Sequence, residues 1–157
     1  MKPMANPTLL SWREHHLALA ELRREVFIQE QQVPVSEEWD GKDESAWHFG
    51  TYASEQLIAC ARVVCEHWEQ TPGLHIGRVA VKMKRRGEGL GSELMRYILQ
   101  WAGPQKPVFL HAQVSVIPFY KSLGFKFVGD TFMDAGIPHR TMVLKPDAGY
   151  IASGDTE

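Results

Sequence analysis

The chain is short of the features that mark several common functions. It holds only two cysteines, Cys60 and Cys65, whose odd separation puts them on opposite faces if both lie in one strand. A disulfide framework is therefore excluded, and two reduced thiols in a cytoplasmic protein are the simplest expectation. No run of about 18 apolar residues occurs, so no membrane-spanning helix is expected. The first ten residues carry only scattered apolar positions and do not make a secretory leader. An excess of charge is missing too. Seventeen basic side chains against nineteen acidic ones give a formal net charge of -2, without the broad positive field that draws nucleic acid or an anionic membrane. Seven histidines are present, but no close pair of them combines helical or strand spacing with a cysteine or carboxylate companion in the manner of a zinc site. His15 and His16 are adjacent and diverge on a helix, so no metal is expected.

What is present reads as an ordinary globular protein. The 157 residues suit one domain over residues 1–146, with a flexible tail over 147–157 where glycine, serine and aspartate predominate. No internal repeat is visible. Thr8 to Trp12 has the apolar content of an edge strand. From Arg13 to Gln31, Leu17, Ala20, Leu22, Val26 and Phe27 recur at three-to-four spacing, the stripe of an amphipathic helix that Pro34 closes. The next stretch, VPVSEEWDGKDESAW, is acidic and loop-like. His48–Ala53 and Leu57–Cys65 have the spacing of a hairpin. A strand is expected around His75–Val81, a helix over Leu90–Ala102 and a buried strand over Val108–Ala112, a succession that implies parallel pairing. A short helix near Ile117–Leu123, started by Pro118 and stopped by Gly124, precedes two last strands at Phe125–Val128 and Arg140–Leu144.

The most informative stretch runs from the fourth expected strand toward the fifth. An apolar run (Ile76, Val79, Ala80, Val81) meets a basic turn (Arg85, Arg86, Gly87, Gly89), and a helix follows from Leu90 through Gly91 and Ser92. The leading amides of a helix have no intrahelical partner and carry partial positive charge, so this arrangement suits an anion. Gly87, Gly89 and Gly91 do not meet the dinucleotide pattern GxGxxG, and no Gly-Lys-Ser/Thr supplies a nucleotide-triphosphate loop. The turn is either a diphosphate cradle of another kind or only a tight connection.

Residues further along sharpen the choice. Arg86, Gly89 and Gly91 stand in the spacing R/Q-x-x-G-x-G/A, and PFYKSLGF (Pro118–Phe125) follows the strand VFLHA. This order resembles the GNAT superfamily of N-acetyltransferases. LRREVFIQEQQVP, SEEWDGKD, AQVSVIPFYKSLGF and GIPH extend the likeness to the ElaA-like subgroup, with Val33, Val35 and Ala135 as departures near the acceptor pocket. The resemblance implies an α/β fold in the acyl-CoA N-acyltransferase pattern, a twisted mixed sheet of about six to seven strands flanked by helices. It implies acetyl-CoA as co-substrate, a small-molecule or peptide amine as acceptor, and a monomer or homodimer. Carried over by position, Val79, Ala80 and Val81 present backbone groups to the pantetheine arm and thioester. Arg85, Arg86, Gly87, Gly89, Leu90, Gly91 and Ser92 surround the diphosphate.

Acetyl transfer needs a neutral amine, donors for the developing oxyanion and a proton for the departing thiolate. Neutralising an alkylamine of pKa about 10.4 near pH 7 costs roughly 4 to 5 kcal/mol. Tyr120 stands where the family commonly places its thiolate acid; otherwise it is a core aromatic. The base is open among His75, on the strand before Val79, His111, at the end of the next strand, and His139, after the GIP turn. His111 is also an acceptor-pocket candidate, with Glu30, Glu38 and Asp40, whose charges either attract a cationic amine or are simply solvated. A non-catalytic acyl-CoA-binding or regulatory module is the alternative function.

Overall fold

The computed structural model describes residues 5–145, so the expected flexible tail lies outside the described residues. Seven strands form one mixed sheet: β1 (Pro7–Leu10), β2 (Trp47–Ala53), β3 (Gln56–Trp68), β4 (Thr71–Val81), β5 (Val108–Gln113), β6 (Lys126–Asp134) and β7 (Ile137–Leu144). Their order is β1-β2-β3-β4-β5-β7-β6. β4 pairs parallel with β5, as the intervening helix requires, while β1 with β2, β2 with β3, β5 with β7 and β6 with β7 are antiparallel. Four α-helices accompany the sheet among the described residues: α1 (Trp12–Arg23), α2 (Val35–Glu38), α3 (Leu90–Ala102) and α4 (Ile117–Ser122).

Two compact units divide the described chain, one running to Val64 together with Gly77–Ile98, the other comprising Cys65–Ile76 and everything from Leu99 onward. In the first unit, Ser11 caps α1 by accepting from the Glu14 amide at 3.1 Å, the serine-to-glutamate spacing of an N-terminal cap. The helix then widens over Arg24–Glu30 into a π-helical segment, whose hallmark is the Gln31 amide reaching back five residues to the Val26 carbonyl. Leu10, Leu19, Leu22, Val26, Leu57, Cys60 and Ala80 make one buried cluster of its core, with Trp12, Phe27 and Tyr52 at the margin. The helical stripe differs from the sequence expectation at one end. Leu17 is 77% exposed, whereas Arg23, a residue the apolar pattern passes over, is 1% exposed.

In the second unit, β5 is buried except at His111 and the margin residue Gln113. β6 and β7 run longer than expected because a two-residue turn joins them directly. Ala135 and Gly136, both left-handed with φ 53° and 76°, form the kind of turn that matches strand twist. The solvent-facing part of β6 has no buried residue to give it a periodic apolar signal.

Candidate functional site

The glycine turn belongs wholly to the first unit. A single 3-10 turn (Met83–Arg85) leaves β4, and the Arg85 amide closes it on the Lys82 carbonyl at 2.8 Å. Gly87 and Gly89 follow with φ 84° and 83°, a left-handed backbone that side-chain-bearing residues adopt at a cost. A Cβ at either position would meet nothing within 4 Å, so the backbone here, and not crowding, calls for glycine. The first internal bond of α3 runs from the Glu93 amide to the Gly89 carbonyl at 3.0 Å. The amides of Leu90, Gly91 and Ser92 therefore stand ahead of the helical ladder, where an anion is most favoured.

Three cations of this turn, Lys82, Arg85 and Arg86, are paired with carboxylates. Arg86 places Nη1 and Nη2 on the two oxygens of Glu30 at 2.8 and 2.7 Å and donates Nε to the Val81 carbonyl at 2.9 Å. The guanidinium hydrogen bonds hold Glu30 below the usual carboxylate range. Lys82 sits 3.1 Å from Glu25, and Arg85 lies 3.1 Å from Glu88. Val79, Ala80 and Val81 lead directly into the turn, Ala80 buried and the other two half-buried.

The acidic loop is pinned from within the same unit. Arg23 reaches Glu38 and Asp43 at 2.7 Å each, with side-chain exposures of 1% for the arginine and 2% for Glu38. Arg62 bridges Asp40 at 2.8 Å and Asp43 at 3.0 Å. Arg78, left-handed at φ 54°, donates to the Glu37 and Glu38 carbonyls at 3.1 and 3.0 Å and to Asp40 at 3.2 Å. Its Nε lies 3.2 Å from the Glu38 carboxylate without a hydrogen bond between them. Desolvation opposes the ionised forms of Asp40 and Asp43, but the arginine hydrogen bonds outweigh it and leave both carboxyls below their ordinary range. Glu38 and Asp40, offered by the sequence as acceptor-binding charges, thus serve here as counter-ions that fasten a loop. Sequence reasoning missed this because only register and burial bring Arg23, Arg62 and Arg78 to one place.

The second unit gathers the three candidate bases. His75 has its Nδ1 2.8 Å from Glu66, stacks on Phe109 at 4.6 Å between ring centres and meets His111 edge-on at 4.7 Å. His111 continues the series, with Nδ1 3.0 Å from the Thr141 hydroxyl and Phe132 edge-on at 5.3 Å. Phe132 in turn stacks with His139 at 6.0 Å, and the His139 Nδ1 donates to the Ile137 carbonyl at 2.7 Å. Strand register explains the grouping. His75 lies across from Phe109, His111 from Thr141, and Gln113 from His139, so alternate β5 positions carry one face past both neighbours. Loss of hydration among these rings pushes His111 below its ordinary value despite its exposed edge. Glu66, Thr141 and Phe132 had no sequence signal, since each matters only through that register. Tyr120, on α4, is 8% exposed with Phe119 and Phe125 edge-on at 5.0 and 6.1 Å, and burial pushes its phenol up to about 12. Among the described residues no cluster of three or more histidine, cysteine, aspartate or glutamate side chains is arranged to hold a metal.

A helix led by free amides behind a left-handed glycine turn, set on a mixed seven-stranded sheet, defines a class. The acetyltransferase (GNAT) domain family matches residues 15–146, and the chain belongs to it; it is an acyltransferase of the ElaA-like subgroup. Protein ElaA of Escherichia coli strain K12 is 35% identical over 147 residues, covering 83% of this chain and 94% of ElaA. The Escherichia coli ElaA crystal structure superposes with a TM-score of 0.79 at 32% identity, over 89% of this chain and 99% of that one. An acyl-CoA N-acyltransferase from Pseudomonas aeruginosa gives 0.80 at 32% identity, over 89% and 99%. YjcF, an uncharacterized N-acetyltransferase of Bacillus subtilis strain 168, is 32% identical over 126 residues, 78% of this chain and 86% of YjcF.

Proposed function

We propose that the chain is an acetyl-CoA-dependent N-acetyltransferase that transfers the acetyl group to a primary amine by direct attack in a ternary complex. The observation that carries this reading is the left-handed pair Gly87 and Gly89 opening onto the leading amides of α3, in a chain of an acetyltransferase family. Amides from Gly87 to Ser92, with Arg85 and Arg86 flanking, hold the diphosphate. Backbone groups of Val79, Ala80 and Val81 hold the pantetheine arm and the thioester oxygen.

Of the three histidines, His75 is the preferred base. The Glu66 carboxylate on its Nδ1 stabilises the imidazolium formed when the ring takes the amine proton. His111 and His139 line the same face and position the acceptor. That acceptor is a small molecule or a peptide amine, and Glu38 and Asp40 leave its recognition to this face because their charges are already answered by arginines.

Tyr120 donates its hydroxyl to the departing sulfur. A phenol near pKa 12 is a weaker acid than an ordinary thiol of about 8.5. Its contribution is therefore a hydrogen bond to developing thiolate charge; the phenol keeps its proton, and the released thiolate takes one from solvent. The test is coenzyme A release from acetyl-CoA across polyamines, amino sugars, arylamines and peptides, comparing the wild type with Tyr120→Phe. Turnover of the variant is expected to fall about 10²-fold while coenzyme affinity holds. Undiminished turnover removes Tyr120 from the chemistry, and tight coenzyme binding with no release from any amine leaves a binding module.

A further inference from the structure

Glu30 lies where the coenzyme's charge is expected. Its two oxygens take both terminal nitrogens of Arg86 at 2.8 and 2.7 Å, the two-pronged geometry in which arginine grips a carboxylate or a phosphate. The same π-helical segment carries Glu25, whose carboxylate answers Lys82 at 3.1 Å on the other side of the turn. Two carboxylates from one segment therefore neutralise two cations that bracket the 3-10 turn Met83–Arg85, just ahead of the glycines. Glu30 is 28% and Arg86 39% exposed in their side chains, so the pair is reachable by a solute and is not a buried strut.

We infer that Glu30 is a resident stand-in for the coenzyme's diphosphate: its carboxylate occupies Arg86 in the free enzyme and is displaced when the coenzyme binds. This rests on the coenzyme reading given above. The reasoning is electrostatic. A diphosphate arriving at the amides of Leu90 to Ser92 finds the Arg86 guanidinium already neutralised, and sharing it places like charges side by side. Displacement removes that repulsion and returns Arg86 to the stronger anion. Its Nε bond to the Val81 carbonyl keeps the guanidinium in place during the exchange. Glu30 ends the π-helical segment, and the Glu25–Lys82 pair still ties that segment to the turn after the exchange. The coenzyme thus sets how tightly the approach to the acidic loop is held. As a positioning residue, Glu30 touches the coenzyme's partner and not the reacting atoms.

The experiment is calorimetric titration of coenzyme A, and separately of inorganic pyrophosphate, into the wild type, Glu30→Gln and Glu30→Asp, with circular dichroism to verify folding. Glu30→Gln removes the competing charge at constant size, and both probes are expected to bind about five-fold more tightly, the scale of a partly exposed ion pair. Glu30→Asp keeps the charge on a shorter arm and is expected to fall between the two. If Glu30 instead shapes the turn, both variants bind more weakly, and that result overturns the inference, as does unchanged affinity. Coenzyme binding by the wild type together with either of those results sinks only this inference. Absence of coenzyme binding in all three folded proteins sinks the coenzyme reading with it.

Discussion

Replacing Arg23 by methionine tests whether the fold depends on a buried charge that no apolar pattern reveals. The guanidinium is 1% exposed and donates at 2.7 Å to Glu38 and to Asp43, with a further bond at 3.3 Å to the Glu38 carbonyl. Methionine supplies comparable bulk but no charge, so the lost contribution is electrostatic. Asp43 retains Arg62 at 3.0 Å. Glu38, 2% exposed, keeps among the described residues the poorly aligned Arg78 Nε at 3.2 Å. Removing one member of a buried pair costs about 3 to 5 kcal/mol because the other charge stays desolvated. The residual partners put this case near the lower end, about 3 kcal/mol. At roughly 2 to 4 °C per kcal/mol for a chain of this size, the melting temperature is expected to fall by about 6 to 12 °C. Adding Glu38→Gln removes the orphaned charge and is expected to recover about 1 to 2 kcal/mol of that loss, a non-additivity expected of direct partners. Urea unfolding of wild type, single and double variants measures all three terms. A single variant within about 1 kcal/mol of wild type, or a double variant that is simply the sum of two losses, refutes the reasoning.

Two further outcomes follow from the same coordinates. Gly50→Ala places a Cβ 2.7 Å from Leu10 Cδ1 and from Leu57 Cδ1 and 3.0 Å from the Ala59 carbonyl; leucine tips yield but the strand backbone does not, so a loss of about 1 to 3 kcal/mol is expected, visible as a lower urea midpoint at unchanged slope. Acidification from pH 7 is expected to lower stability steadily. Desolvation holds His48 and His111 below their ordinary values, so the unfolded chain takes up protons first as pH falls through about 6.5. Asp40 and Asp43 are depressed by their arginines, so their contribution is present above about pH 4 and is lost as pH falls toward their folded values. The signs agree: a urea midpoint that rises between pH 7 and pH 5 contradicts the histidine assignment, and one that rises as pH falls below about 4 contradicts the aspartate assignment.

How far the sequence reads correctly depends on what each element's signal consists of. α3 was legible because its apolar residues recur at helical period and Leu90, Leu94, Met95 and Ile98 are indeed buried. The hairpin of β2 and β3 and the parallel pairing of β4 with β5 followed from short polar spacers and a helical crossover. The far half of β6 was not legible, since a strand without buried residues has no alternation to find. The turn at Gly87 and Gly89 announced itself through glycine alone. Glu30 on Arg86, by contrast, joins residues far apart in the chain, and no local spacing encodes it. The same holds for His75, His111 and His139. They read as three rivals along the chain, and strand register makes them neighbours.

The two cysteines bear on any bench assay of this enzyme. Cys60 is buried, with its thiol pushed up to about 12 by desolvation and its sulfur 3.7 Å from the Arg78 carbonyl, whereas Cys65 is exposed on the opposite face of β3. A colorimetric thiol reagent used to follow product formation will therefore react with the protein itself. That background is a single stoichiometric equivalent from the exposed Cys65, and a second equivalent, from the buried Cys60, announces that the preparation has come apart.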